Sequence, residues 1–192
     1  MATTAAPFGA RPVSTTSASG SFNGKVQHLK IASGYATAIF NGDFVKMVAA
    51  GVIEKDTGTA TFTTIGIFMG VKYTDPTTGQ LTFNQYYPAS TAADDIEAYV
   101  LTDPDVVFLM QADGAIAQTA LGSNFDVIQT AGTTSIGNSK NAVDADSTAT
   151  TNTLPLRIYD FYDGPSSTIG DAFTDALFIF NVGHAYRNTT GV

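Results

Sequence analysis

Short apolar runs alternate with turn-forming residues along most of the chain. From Lys25 onward the runs fall at 26–31 (Val-Gln-His-Leu-Lys-Ile), 36–40, 44–48, 65–73, 80–86, 96–101, 106–110, 125–129, 156–161 and 176–185. Each is rich in β-branched or aromatic residues and is bounded by Gly, Pro, Asn or Asp, the pattern of strands. Asn41-Gly42-Asp43 predicts a hairpin turn between two of the runs, and Asp75-Pro76-Thr77-Thr78-Gly79 turns 65–73 back onto 80–86. Asp103-Pro104 and Asp113-Gly114 bracket 106–110. About ten short strands at this spacing predict an all-β domain over residues 25–192, a single β-barrel or β-sandwich. Helical signals reduce to one possible turn at 91–95 and another at 170–175, neither with room for a long amphipathic face.

Two stretches lack the alternation. Residues 1–24 are mostly Ala, Thr, Ser and Gly, with Phe8, Val13 and Phe22 as apolar anchors and with Pro7 and Pro12. Such a segment buries too little apolar surface to offset its ordering entropy, so an extended arm is expected, ordered only against another surface. Pro12 favours an extended Arg11. Residues 130–153, rich in Thr, Ser, Gly, Asn and Ala, read as a long exposed loop.

Composition sharpens this picture. With 192 residues the chain is long enough for a core without metal or disulfide staples. Charged residues make up 14% and hydrophobic residues 44%, a balance opposite to that of disordered chains. The absence of Cys removes a disulfide scaffold, a cysteine nucleophile and thiolate metal sites. A net charge of −8 is the wrong sign for wrapping a duplex backbone, so no nucleic acid is expected as a partner. No apolar segment reaches the roughly 18 residues of a membrane span. The N-terminal residues carry no secretory signal pattern, and synthesis in a cytosol-like compartment is expected. The charge is unevenly spread: residues 1–42 contain Arg11, Lys25 and Lys30 and no acid, whereas residues 73–139 contain eight acids and no base. A basic leading arm on an acidic body can steer binding to an acidic surface.

Candidate chemistry is sparse. There are two histidines, His28 and His184, and no Gly-x-Ser-x-Gly elbow, so no nucleophilic triad is supported. Zinc lacks thiolates and paired histidines. Asp103-Pro104-Asp105 and Asp94-Asp95-Ile96-Glu97 could offer oxygens to calcium, but neither follows an EF-hand loop, and turn formation is the plainer role. No glycine-rich phosphate loop is present. The Asn188-Thr189-Thr190 sequon means little without secretion. No enzyme activity, cofactor or metal is expected. Aromatic clusters remain at 83–88 and 159–165. Phe83, Tyr86, Tyr87, Tyr159, Phe161 and Tyr162 are candidates for a self-interface, with core packing as the competing role.

Several segments carry a resemblance. Gly42-Asp43-Phe44-Val45 followed by Ile65-Gly66-Ile67-Phe68-Met69-Gly70-Val71-Lys72-Tyr73-Thr74-Asp75-Pro76 resembles structural proteins of tailed phages. Ile96-Glu97-Ala98-Tyr99-Val100-Leu101-Thr102-Asp103-Pro104 and Gly170-Asp171-Ala172-Phe173-Thr174-Asp175 are similar to virion proteins of short-tailed phages, of the capsid decoration (cement) type. The resemblance spans residues 40–187. It implies a β-rich protein that binds the major capsid protein on the outside of an icosahedral head and reinforces it, reaching the virion after synthesis in the host cytoplasm. No individual binding residue carries over. In this role the arm is expected to dock on the capsid through Phe8, Arg11, Phe22 and Lys25, and a homo-oligomer, a trimer, is expected from head symmetry. No helical pattern is long enough for the spine helix of a major capsid protein. The competing function is a carbohydrate-binding β-sandwich module of a phage fibre or other surface structure, read from the clustered tyrosines.

Overall fold

The computed structural model describes residues 4–18, 22, 24–188 and 191. Twelve strands follow one another: β1 (Arg11–Thr15), β2 (Val26–Lys30), β3 (Phe44–Met47), β4 (Ile53–Lys55), β5 (Thr64–Thr74), β6 (Leu81–Asn84), β7 (Glu97–Leu101), β8 (Val106–Gln111), β9 (Asn124–Ile128), β10 (Ala142–Ala149), β11 (Leu156–Phe161) and β12 (Asp175–Phe180). Helical structure among the described residues is limited to single 3₁₀ turns at Gln118–Ala120 and Ala185–Arg187. The all-β expectation holds.

The strands form two antiparallel sheets. One runs β1-β8-β12-β11-β9-β10, and the other runs β2-β7-β5-β3-β4, with β6 pairing to the far half of β5. Inward residues of both sheets meet in one core: Phe44, Ile67 and Leu101 from the second sheet face Phe108, Met110, Phe125, Ile158, Phe178 and Phe180 from the first. Phe44 makes ring contacts with Phe62, Phe108 and Phe180 at 4.8 to 5.9 Å. Face-to-face burial of this kind makes the fold a sandwich.

The second sheet is covered on its other face as well. Val45, Ile65, Phe68, Val71 and Val100 pack there against Ile31, Ile39, Tyr87 and Ile96, which come from the connections before β3 and between β6 and β7. A strand buried on both faces reads as a continuous apolar run, which is the character of 65–71. Strict alternation still fails within β5, because Ile65 and Ile67 enter different cores. The reason is a break in register against β3 beside Gly66. A Cβ at Gly66 would lie 2.1 Å from the Leu101 carbonyl oxygen, so only glycine permits the approach of β7 at that point. A second break, between Phe68 and Gly70, occurs against β7.

Several expectations need correction. The run 36–40 is not a strand but a single bridge, Ile39 to Tyr87. Asn41-Gly42-Asp43 does turn, with the Asp43 N–H donating to the Phe40 carbonyl, but no hairpin flanks it. Residues 130–153 are not an exposed loop: β10 lies within them, and Ser139, Asn141 and Val143 are buried. Small polar residues could not signal this strand, since only its first half meets the core.

The leading segment is extended but not separate from the body. β1 pairs antiparallel with β8, Ala10 is buried, and the Ala6 N–H donates to Gln111 Oε1 at 2.7 Å. Gly9, at φ +74°, is pressed so closely on Ser139 that a Cβ would lie 2.5 Å from the serine Cβ. The backbone ladder, rather than apolar burial, offsets the ordering entropy of this segment.

Candidate functional site

The four residues expected to form a docking arm separate into three places. Arg11 sits with its guanidinium 4.5 Å from the centre of the Phe8 ring, a cation–π contact. Phe8 also lines a shallow groove of about 280 Å³ with Ala6, Pro7, Ile136 and Lys140. Phe22 packs against the inter-sheet core. Lys25 lies beside Gln27, Thr102 and Asp103 in another depression. Phe8 and Arg11 are in direct contact.

The aromatic candidates divide by burial. Phe83, Tyr159 and Tyr162 are exposed, at 67%, 50% and 39%. Tyr86 is half-buried and stacks on Phe40 at 5.4 Å with a 10° interplanar angle. Tyr87 and Phe161 are not surface residues, which corrects their nomination: Phe161 belongs to the inter-sheet core. Tyr87 is fully buried, donates its hydroxyl to the Tyr35 carbonyl at 3.0 Å, and is raised in pKa by that burial. Leu81 went unnoticed in the sequence, yet it is 59% exposed and lies two residues before Phe83, on the same face of β6.

The β5–β6 hairpin that carries this pair is set by Asp75. Its carboxylate accepts from the N–H groups of Thr77 (2.7 Å) and Thr78 (3.0 Å), and the two bonds hold its pKa below the usual carboxylate value. The Asp75 N–H donates to the Gln80 carbonyl at 2.9 Å. The Thr74 N–H points to the opposite side of β5, where it meets the Asp95 carboxylate. These bonds fix which backbone groups of β6 face β5: those of Thr82 and Asn84 turn inward, and those of Leu81 and Phe83 turn outward.

Two of the buried polar centres bear on chemistry. Lys55 Nζ is 2.9 Å from Asp43 Oδ2, both side chains being buried; Ser139 donates to Asp43 Oδ1 at 2.6 Å, and the Phe40 N–H donates to Oδ2 at 2.9 Å. This cluster joins three segments and leaves the carboxylate no opening to solvent. The second centre is His184, buried among Phe180 and Tyr186. Its Nδ1 accepts from the Tyr186 N–H at 3.3 Å, which assigns the proton to Nε2, and Nε2 has no partner among the described residues. Burial, reinforced by the Arg187 charge, lowers its pKa to about 4. Such an imidazole is a packing group at neutral pH.

Four of the acids considered for calcium are otherwise engaged. Asp103 accepts from the Asp105 N–H, and Asp105 pairs with Arg187. Asp95 accepts from Thr74, while Glu97 pairs with Lys72 at 2.9 Å and lies 3.7 Å from His28 Nδ1. Among the described residues no three ligating side chains converge. Of the sequon, Thr189 and Thr190 lie outside the described residues. A groove of about 460 Å³ lies between Lys46, Met47, Ile65, Ala185 and Tyr186; among the described residues it holds one cationic side chain and no paired acid and base. Compared with known proteins, the chain matches no family model, no curated protein and no solved structure.

Proposed function

We propose that this chain is a structural protein of a tailed-phage virion that binds the major capsid protein and stabilises the outer surface of the head. The observation that carries the reading is the contrast between surface and interior. Leu81, Phe83, Ile136, Tyr159 and Tyr186 are half or more exposed, whereas the buried Asp43 carboxylate is committed to Lys55 and Ser139 within the fold. A folded body with large apolar side chains exposed at its surface suits adhesion to another protein surface. The segment resemblance supplies the identity of that surface. Co-sedimentation with purified empty heads tests it: the chain should pellet with them in a fixed ratio and appear as a stoichiometric band in purified particles. Failure to pellet at any ratio would remove the reading.

Tyr159 and Tyr162 favour a second reading, glycan binding by a fibre module, because exposed rings near a strand end can stack on sugars. Quenching of tyrosine fluorescence by soluble glycans, without head binding, would put this reading first.

A further inference from the structure

Sheet edges are exposed templates for pairing, and proteins normally blunt them with charge, proline, bulges or brevity. Among the described residues four edges of this sandwich are blunted. β1 has Arg11, Pro12 and a register break. β10 has Asp144, Asp146 and a break of its own. β2 carries His28 and Lys30. β4 is three residues long, with Glu54 at its centre, and is bridged by Ile31. The fifth edge is different. β6, Leu81-Thr82-Phe83-Asn84, has no charge, proline or bulge, and it pairs with β5 alone. It also presents Leu81 and Phe83, at 59% and 67% exposure.

We propose that two copies of this chain join through the outer edge of β6, antiparallel about a two-fold axis at Thr82. Backbone geometry and side-chain order agree on this register. The outward N–H and C=O groups belong to Leu81 and Phe83. In antiparallel pairing centred on Thr82, Leu81 of one copy faces Phe83 of the other, twice, so each pair exchanges both hydrogen bonds. The same register puts leucine against phenylalanine on one face, an apolar cross-strand contact that repeats across the axis. Gln80 meets Asn84, so the flanking positions are neutral and polar. Charge favours a second copy at this edge over any other. The chain carries a net −8, yet residues 76–93 contain no Asp, Glu, Lys, Arg or His, and like charges do not meet across the axis. The two second sheets become one continuous sheet. An isologous contact of this kind closes as a dimer, in place of the trimer expected from head symmetry.

The pairing deepens the assembly role proposed above but depends only on the edge itself. Two measurements on the full chain test it. Light scattering across a concentration series should show a reversible monomer–dimer equilibrium, weakened about tenfold by Phe83→Ser through loss of the two repeated contacts. Because the chain has no cysteine, Thr82→Cys should form a disulfide-linked dimer on mild oxidation, while Lys30→Cys on the β2 edge should not. Should Phe83→Ser fail to fold, the Thr82→Cys cross-link still decides. A strict monomer, a trimer, or a dimer that neither cross-links at position 82 nor responds to Phe83→Ser would overturn the pairing. A β6 dimer that ignores empty heads would uphold the pairing and remove the decoration reading; monomers bound to heads would do the reverse.

Discussion

Asp43 and Lys55 form an ion pair of 2.9 Å in which neither side chain is more than 9% exposed. The pair stands where the turn before β3, the strand β4 and the segment around Ser139 meet, and Asp43 serves all three through four hydrogen-bonding contacts. Its role is architectural, since both carboxylate oxygens have donors within the fold.

Asp43→Ala is therefore expected to strand the Lys55 ammonium in the interior and to lower unfolding free energy by about 3–5 kcal/mol. The double substitution Asp43→Ala with Lys55→Met should be less damaging than Asp43→Ala alone, because it removes the unpaired charge. Urea unfolding midpoints of the three proteins check the order; a double variant as weak as the single one would contradict it.

Removing residues 1–16 should destabilise the body. The deletion strips β1 from β8, uncovers the site of Ala10 and leaves Gln111 without the Ala6 donor. A loss of roughly 2 kcal/mol would lower the thermal midpoint by about 4–8 °C in a chain of this length. Scanning calorimetry of the truncated protein would show an unchanged midpoint if the segment were a free arm.

Acid should weaken the fold through His184. Its pKa is about 4 in the folded protein, below the 6.5 of the unfolded chain. Between these values the unfolded state binds the extra proton, so stability is fully present above about pH 6.5 and is lost as pH falls toward 4. The loss attributable to this group is roughly 3 kcal/mol. His184→Gln should flatten the stability profile in that window, as followed by urea unfolding at a series of pH values.

Asp175 has the opposite sign. It is 8% exposed, and its Oδ1 has no hydrogen-bond partner among the described residues. Burial raises its pKa, against smaller opposing effects of Gln111 and Arg11. Below the ordinary aspartate value both states hold the proton; as pH rises above it, the unfolded chain ionises first and stability falls. Asp175→Asn should thus gain stability relative to the parent as pH rises from 3 to 7. A difference independent of pH would refute this.

Much of the sandwich was legible because its strands carry their own apolar runs: Val106–Gln111 and Leu156–Phe161 were readable nearly to the residue. The failures have local causes. β1 and β10 are built largely of small and polar residues, β1 pairs only with a strand far along the chain, and β4 is too short for any period to show. Strand 65–73 was found, but its two register breaks hid which residues enter which core. The surface was less legible than the fold. Tyr86 and Tyr87 are neighbours of identical type, one against Phe40 at the surface and one sealed beneath Ile39. Asp43 looked like a hairpin turn, and only the approach of Lys55 and Ser139 makes it a buried anchor.

The pairing of β1 with β8 also orders events in time. Arg11–Thr15 are synthesised about 90 residues before Val106–Leu109, their partners, a delay of roughly 5–20 s at ordinary translation rates. During that wait the segment has no template within the nascent chain. A hydrophobic strand left unpaired for so long would be an aggregation hazard; this one, made of Arg, Pro, Val, Ser and Thr, tolerates the delay. The bland composition that hides β1 from sequence reading is what lets a leading strand stay dissolved until its neighbour leaves the ribosome.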